Sequence, residues 1–259
     1  MKTLNPYKRA ASLLWGRVAW DFNLNSWRSR RKLKSLKNSQ LAKSCVILCN
    51  GPSLLEVDFD LLSSSNIYTF GLNKINLLFE KVKFRPKSIV AVNRYVLEQN
   101  KEYFANTSIP LFLDSYADKL GLSARSNICY LHSSDFSGEF APDCSMSINQ
   151  GYTVTFVAMQ LAFHFGFEKV ALVGCDHNFE TKGEANKTVI AEQSDPNHFD
   201  PNYFSNGVKW QLPDLEQSEL AYRVAKLNYE LAGRKLYNCS VGGHLEVFPR
   251  LSLAEFLRA

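Results

Sequence analysis

Short apolar runs that each stop at an amide, a carboxylate or a glycine are what most constrain this chain. Residues 44–49 (SCVILC) stop at Asn50-Gly51, and 67–71 (IYTFG) at Leu72-Asn73. Residues 88–92 stop at Asn93 and 109–113 at Asp114; 127–131 is a weaker fifth run. Residues 169–173 stop at Gly174-Cys175-Asp176, and 235–237 at Asn238-Cys239-Ser240. Helical periodicity fills 54–64, 74–80, 94–104, 151–165 and 214–232. Apolar strands without polar alternation, separated by helices, are strands buried on both faces, so a mostly parallel α/β sheet is expected. In such sheets ligands bind beyond the carboxyl ends of the strands. Asn50, Asn73, Asn93, Asp114, Asp176 and Asn238 all fall there. Asn and Asp favour loops and helix caps anyway. Six in register nevertheless point to a polar ligand crevice.

Charge divides the chain. Residues 1–43 hold eleven Lys/Arg and one acid, Asp21, whereas the rest holds nineteen basic and twenty-four acidic residues. The simplest partition is a basic amphipathic N-terminal arm, 1–43, and a catalytic or binding domain, 44–259. The mildly acidic body argues against a nucleic-acid partner. Within 7–38, Leu13, Leu14, Trp15, Val18, Trp20, Phe22, Leu24 and Trp27 alternate with Arg9, Arg17, Arg28, Arg30, Arg31 and Lys32. That mixture suits a helix lying in an anionic membrane interface. It equally suits a helix packed on the body with a solvated basic tail. Arg17 and Asp21 interrupt the apolar core a signal peptide needs. No run reaches the roughly 18 apolar residues of a spanning helix. The expected location is cytoplasmic, peripheral on the inner face of the membrane. Six cysteines without a C-x-x-C pair read as reduced, mostly buried thiols.

Four segments could carry chemistry. In Cys49-Asn50-Gly51-Pro52-Ser53, glycine lets backbone N–H groups approach an anion, and Ser53 could cap a helix whose N-terminus favours phosphate. The element is neither G-x-G-x-x-G nor a P-loop. Asn149-Gln150-Gly151-Tyr152-Thr153 opens the helix at 151–165, which Gly166 ends. The loop at about 177–212 reads as a lid or substrate loop. It holds Asp195-Pro196-Asn197-His198 among aromatics, and His198 is a candidate general base. The last segment is the Gly-rich turn 238–250. His132, His164 and His244 are weaker, and His164 reads as a packed core histidine. No H-E-x-x-H or G-x-S-x-G occurs, so a zinc protease and a hydrolase elbow both lack support.

The N-G-P-S-L element, the Gly151 helix start, Gly174-Cys175-Asp176-His177-Asn178-Phe179 and Asn238-Cys239-Ser240 together resemble two related groups over about 44–250. One is the bacterial lipooligosaccharide sialyltransferases, which use CMP-sialic acid. The other is the DUF115 family, which includes flagellin nonulosonate transferases and an archaeal 6-hydroxymethyl-dihydropterin diphosphokinase. The T-V-T-x-V-A-x-Q-L-A helix and the G-x-D-H-x-F turn are closer to the second. The resemblance implies a Rossmann-like fold that binds a CMP-sugar donor with no obligatory metal. It implies nucleotide or donor contacts from Asn50, Gly51, Pro52, Ser53, Asn73, Asn93, Gln150, Gly151, Thr153, Gly174, Asp176, Asn238 and Ser240. Asp176 and His198 would be the catalytic pair, with His198 the base. Asn149-Gln150-Gly151 stands where the sialyltransferases have Thr-Ser-Gly, which leaves the donor sugar open.

The expected activity is inverting transfer of a sialic-acid-like sugar to a glycan or lipid-linked glycan acceptor in surface-glycan assembly. The alternative enzyme is a diphosphokinase moving pyrophosphate from ATP to a pterin-like alcohol. That reaction needs Mg²⁺, for which Asp114, Asp176 and Asp195 are the available carboxylates. A non-catalytic nucleotide- or glycan-binding scaffold is the third reading. Homo-oligomerisation is left open.

Overall fold

A computed structural model of the chain describes residues 5–122, 125–134, 138–180, 183–191 and 194–258. Residues 1–4 of the arm, 181–182 and 192–193 of the long loop, and Ala259 lie outside the described residues. The apolar runs form one seven-stranded sheet: β1 (Ser44–Leu48), β2 (Tyr68–Leu72), β3 (Ser88–Ala91), β4 (Leu111–Asp114), β5 (Ile128–Leu131), β6 (Lys169–Val173) and β7 (Lys235–Asn238). Every pairing is parallel, in the order β7-β6-β1-β2-β3-β4-β5. The chain leaves β1 towards β2 and later returns to β6 on its other side. The topological switch point, where crevices open in such sheets, therefore lies between β1 and β6.

Both faces are covered, which explains the missing polar alternation. Cys45 and Ile47 of β1 point to one core with Phe70, Val90, Phe112 and Phe165. Val46 and Leu48 point to the other with Ile89, Leu111 and Val173. Two long helices flank the first core: α3 (Val154–Phe165), capped by the Thr153 hydroxyl, and α4 (Leu215–Leu231), capped by Asp214. Gly166 ends α3 in the left-handed region, at φ 94°. Shorter expected helices break where the sequence supplies a new cap. Residues 54–64 become a single 3₁₀ turn, Pro52–Glu56, and a helix Phe59–Ser64 started by Asp58. Residues 94–104 divide at Asn100.

The N-terminal segment forms two helices, α1 (Pro6–Asp21) and α2 (Leu24–Leu36), each started by an Asn cap. Of the two readings of this segment, α2 takes packing on the body. It lies against edge strand β5, burying Ser26, Ser29 and Leu33. The Ser29 hydroxyl accepts the Tyr130 N–H at 2.9 Å, satisfying a donor the sheet leaves unpaired. Lys32 donates to Ser126 O at 2.9 Å, and Asn25 to Asp118 at 2.9 Å. His164 on α3 bonds Leu33 O at 2.8 Å, so it is the core histidine expected. No described helix is long and apolar enough to cross a membrane.

Candidate functional site

At the carboxyl ends of β1, β2, β3 and β6 a cavity of about 470 Å³ opens. Of the residues named from the sequence, Asn50, Gly51, Asn73, Asn93, Gln150, Gly151, Thr153, Gly174, Asp176 and His198 line it. The others do not. Pro52 and Ser53 turn away into the 3₁₀ turn, and Asn238 and Ser240 sit behind the wall. The buried Asn238 side chain bonds Leu245 O and Ser240 N, and the Ser240 hydroxyl accepts the Cys175 N–H at 2.8 Å.

The Gly51 turn departs from the expected phosphate cradle. Ser53 does not cap the helix; its N–H and hydroxyl both donate to the Asp176 carboxylate. The Gly51 N–H donates to Gly174 O at 2.9 Å, and Pro52 has no N–H to offer. An anion is thus already present there, the Asp176 carboxylate, and it would repel a phosphate. A Cβ at Gly51 would come within 2.8 Å of Gly174 O, so this close packing requires glycine. Asp176 is also braced from behind, its carbonyl accepting the His244 N–H at 2.8 Å. It joins the ends of β1, β6 and β7 and is not a free acid.

The anion-friendly end of the cavity is instead the start of α3. Thr153, Val154 and Thr155 line the wall, and the twelve-residue helix directs its N-terminus there. The approach is strained: Tyr152 has φ 62°, and Asn73 and His177, also on the wall, have φ 49° and 51°. Left-handed conformations of non-glycine residues concentrate at ligand sites.

Two cavity-lining residues carry an amide oxygen without a hydrogen bond. Asn50 Oδ1 and Asn73 Oδ1 are buried without a hydrogen bond, as is Asn149 Oδ1 next to the wall. An unsatisfied buried acceptor costs roughly 1–3 kcal/mol.

The long loop folds over this opening. Its strands Thr188–Ile190 and Lys209–Gln211 pair antiparallel. Phe199 N–H donates to Asn50 O at 3.0 Å, and Lys81 pairs with Asp200 at 2.9 Å. Buried Lys74 donates to Tyr203 O at 2.6 Å, and burial pulls its ammonium down to about 8 although the Asp195 charge opposes this.

His198 stacks on the Tyr203 ring, with centroids 3.9 Å apart and planes 1° from parallel. Its Nδ1 is 2.7 Å from Asp195 Oδ2. Asp195 is buried and also accepts Asn197 N–H and Phe204 N–H. The carboxylate therefore takes the Nδ1 hydrogen and leaves the lone pair on Nε2. Asp195 was legible only as a carboxylate; its spacing from His198 inside an Asp-Pro-Asn-His turn was the available signal. Tyr222 was missed. It lines the cavity from α4, and its hydroxyl is 3.4 Å from Thr153 Oγ1. The i, i+4 row Ser218, Tyr222 marks that inward face.

The three candidate metal carboxylates are dispersed. Asp114 is held by the Ser133 hydroxyl and Tyr116 N–H, Asp176 by Ser53, and Asp195 by His198. Among the described residues no three His, Cys, Asp or Glu side chains gather as metal ligands. Each of the three carboxylates is thus engaged by its own neighbours. The six cysteines are unpaired and buried, and Cys49 on the cavity floor is pushed up by its hydrogen bond to Cys175 and by burial.

No curated protein is a recognisable relative by sequence. Among solved structures, the MAf glycosyltransferase from Magnetospirillum magneticum AMB-1 is similar, with a TM-score of 0.53 and 16% identity. The likeness covers 88% of this chain but 38% of that one, and at this identity it establishes the shared fold. Residues 21–182, from the end of α1 through β1–β6 and the Asp176 turn, match the 6-hydroxymethylpterin diphosphokinase MptE-like family. The chain belongs to that family.

Proposed function

We propose that this protein is an inverting glycosyltransferase of bacterial surface-glycan assembly, acting at the inner face of the cell membrane. It takes a sialic-acid-like sugar from a CMP donor. The carrying observation is one cavity that joins the strand-end amides Asn50, Asn73 and Asn93 to an Asp195-oriented His198. The fold shared with a glycosyltransferase is consistent with this reading.

The amides bind base or ribose hydroxyl and amino groups. The N-terminal turn of α3 faces the leaving phosphate, in place of the Gly51 turn. Nε2 of His198 accepts the proton of an acceptor hydroxyl. The acceptor oxygen attacks the anomeric carbon from the side opposite the phosphate. The carbon–oxygen bond to phosphate breaks, and CMP leaves with its electron pair. Stacking on Tyr203 fixes the imidazole plane, and Asp195 stabilises the imidazolium that forms.

The test is CMP release from a CMP-nonulosonate in the presence of EDTA. Release that persists in EDTA and needs acceptor supports the transfer. Dependence on added Mg²⁺ contradicts it. A second reading follows from the family: pyrophosphate transfer from ATP to a pterin alcohol. It predicts AMP formation only with Mg²⁺ and a pterin. The dispersed carboxylates weigh against it.

A further inference from the structure

The outward face of α1 is apolar. Tyr7, Ala11, Leu14, Trp15, Val18 and Phe22 recur at helical spacing and are all exposed, Trp15 by 75% and Phe22 by 83%. The opposite face, Leu13, Arg17 and Trp20, meets the body, where Trp20 stacks on His132 with centroids 5.4 Å apart. Leu24 and Trp27 extend the apolar surface round the corner into α2. Exposed cations border it: Lys8 on α1, and Arg28, Arg31 and Lys34 on the solvent face of α2. Asp21, the single acid of the first 43 residues, is neutralised between Arg17 and Arg30. The patch thus presents aromatic and aliphatic groups in a positive field with no free carboxylate among its residues.

Its position is tied to the cavity. The Arg17 guanidinium donates to Met146 O at 2.8 Å, four residues before cavity-lining Gln150. Met146 and Tyr152 are themselves exposed, by 51% and 48%, and Tyr152 belongs to the rim. His132, under Trp20, follows the carboxyl end of β5, the sheet edge on which the cavity opens.

We infer that α1 and the α1–α2 corner dock on an anionic lipid bilayer and hold the cavity rim near the headgroups. Apolar residues would enter the interface while the bordering cations meet acidic headgroups. A neutral protein partner would not call for that border of four cations. The surface deepens the proposed reaction by bringing the site to a membrane-borne acceptor, and that purpose rests on the reading above. The binding itself does not, because it is measured without turnover.

The experiment is cosedimentation of the full chain with vesicles of phosphatidylcholine alone or with about one-third phosphatidylglycerol, at low and high salt. Binding to the anionic vesicles alone, weakened by salt, is expected. Replacing Arg28 and Arg31 by Gln should weaken it roughly 30-fold. Trp15→Glu with Phe22→Glu should weaken it by at least about tenfold with an unchanged melting temperature, since both side chains are solvent-facing. Absence of binding, or variants that bind as wild type does, overturns the inference. So does a dimer that the same substitutions dissociate while vesicles go unbound, because the face would then belong to a second copy. Vesicle binding without sugar transfer would sustain this inference and count against the proposed reaction alone.

Discussion

His198 and Asp195 show how a loop can fix an imidazole. Free histidine titrates near neutrality, but catalysis also needs a fixed ring and a defined tautomer. Tyr203 supplies the first and Asp195 the second. His198→Ala should lower turnover by about 100-fold or more and leave CMP affinity within a few-fold. Steady-state kinetics beside calorimetry separates the two; equal losses in both would make His198 a binding residue. The histidine was legible from its company of aromatics and amides. Its carboxylate partner was not, because the pairing depends on how the turn 195–198 closes. Asp176 shows the converse. Position beyond a strand marked it correctly as a cavity residue, yet its oxygens bond Ser53. Sequence position places a side chain at a strand end and does not say which neighbour its polar atoms will find.

Elements were easier to read than their partners. Every strand of the main sheet falls within two residues of its apolar run, because burial on both faces leaves a continuous signal. The main departure is β4, which begins at Leu111, just after Pro110, and not at 109. The N-terminal arm was half legible. Its basic residues conceal that α2 presents Ser26, Ser29 and Leu33 to the body on one face and arginines to solvent on the other. A small, partly polar buried face has little hydrophobic periodicity to show. Ser29→Ala tests the docking: it leaves the Tyr130 N–H of edge strand β5 buried without an acceptor. Urea denaturation should show a loss of about 1–3 kcal/mol. A change below about 0.5 kcal/mol would mean that water reaches this edge and that α2 does not seal it.

For the whole molecule, acid sensitivity follows from two buried imidazoles. Burial lowers His164 and His177 below the ordinary value of 6.5, against the opposing pull of Asp143 on the first and Glu219 on the second. The unfolded chain then binds protons at a higher pH than the folded one. Their contribution is full above about 6.5 and lost as pH falls below it. His164→Gln should be less stable than wild type at pH ~8, losing its bond to Leu33, but should lose stability less steeply towards pH ~5. Urea midpoints at the two pH values check this, and parallel slopes would contradict it.

At the same scale, the parallel α/β architecture was legible, and so was the strand-end crevice. The switch point between β1 and β6 was not, since pairing order depends on contacts about 120 residues apart in the chain. In the proposed reaction this crevice holds a cytidine nucleotide through Asn50, Asn73 and the start of α3. The most direct measurement is the shift in thermal stability with CMP, CDP, UDP, GDP and ATP, each with and without Mg²⁺. At 100 times its Kd a specific ligand adds about 2.7 kcal/mol, well above detection. Stabilisation by CMP that is indifferent to Mg²⁺ and reduced in Asn50→Ala is expected. Stabilisation by ATP alone, and only with Mg²⁺, would contradict it and assign the cavity to pyrophosphate transfer.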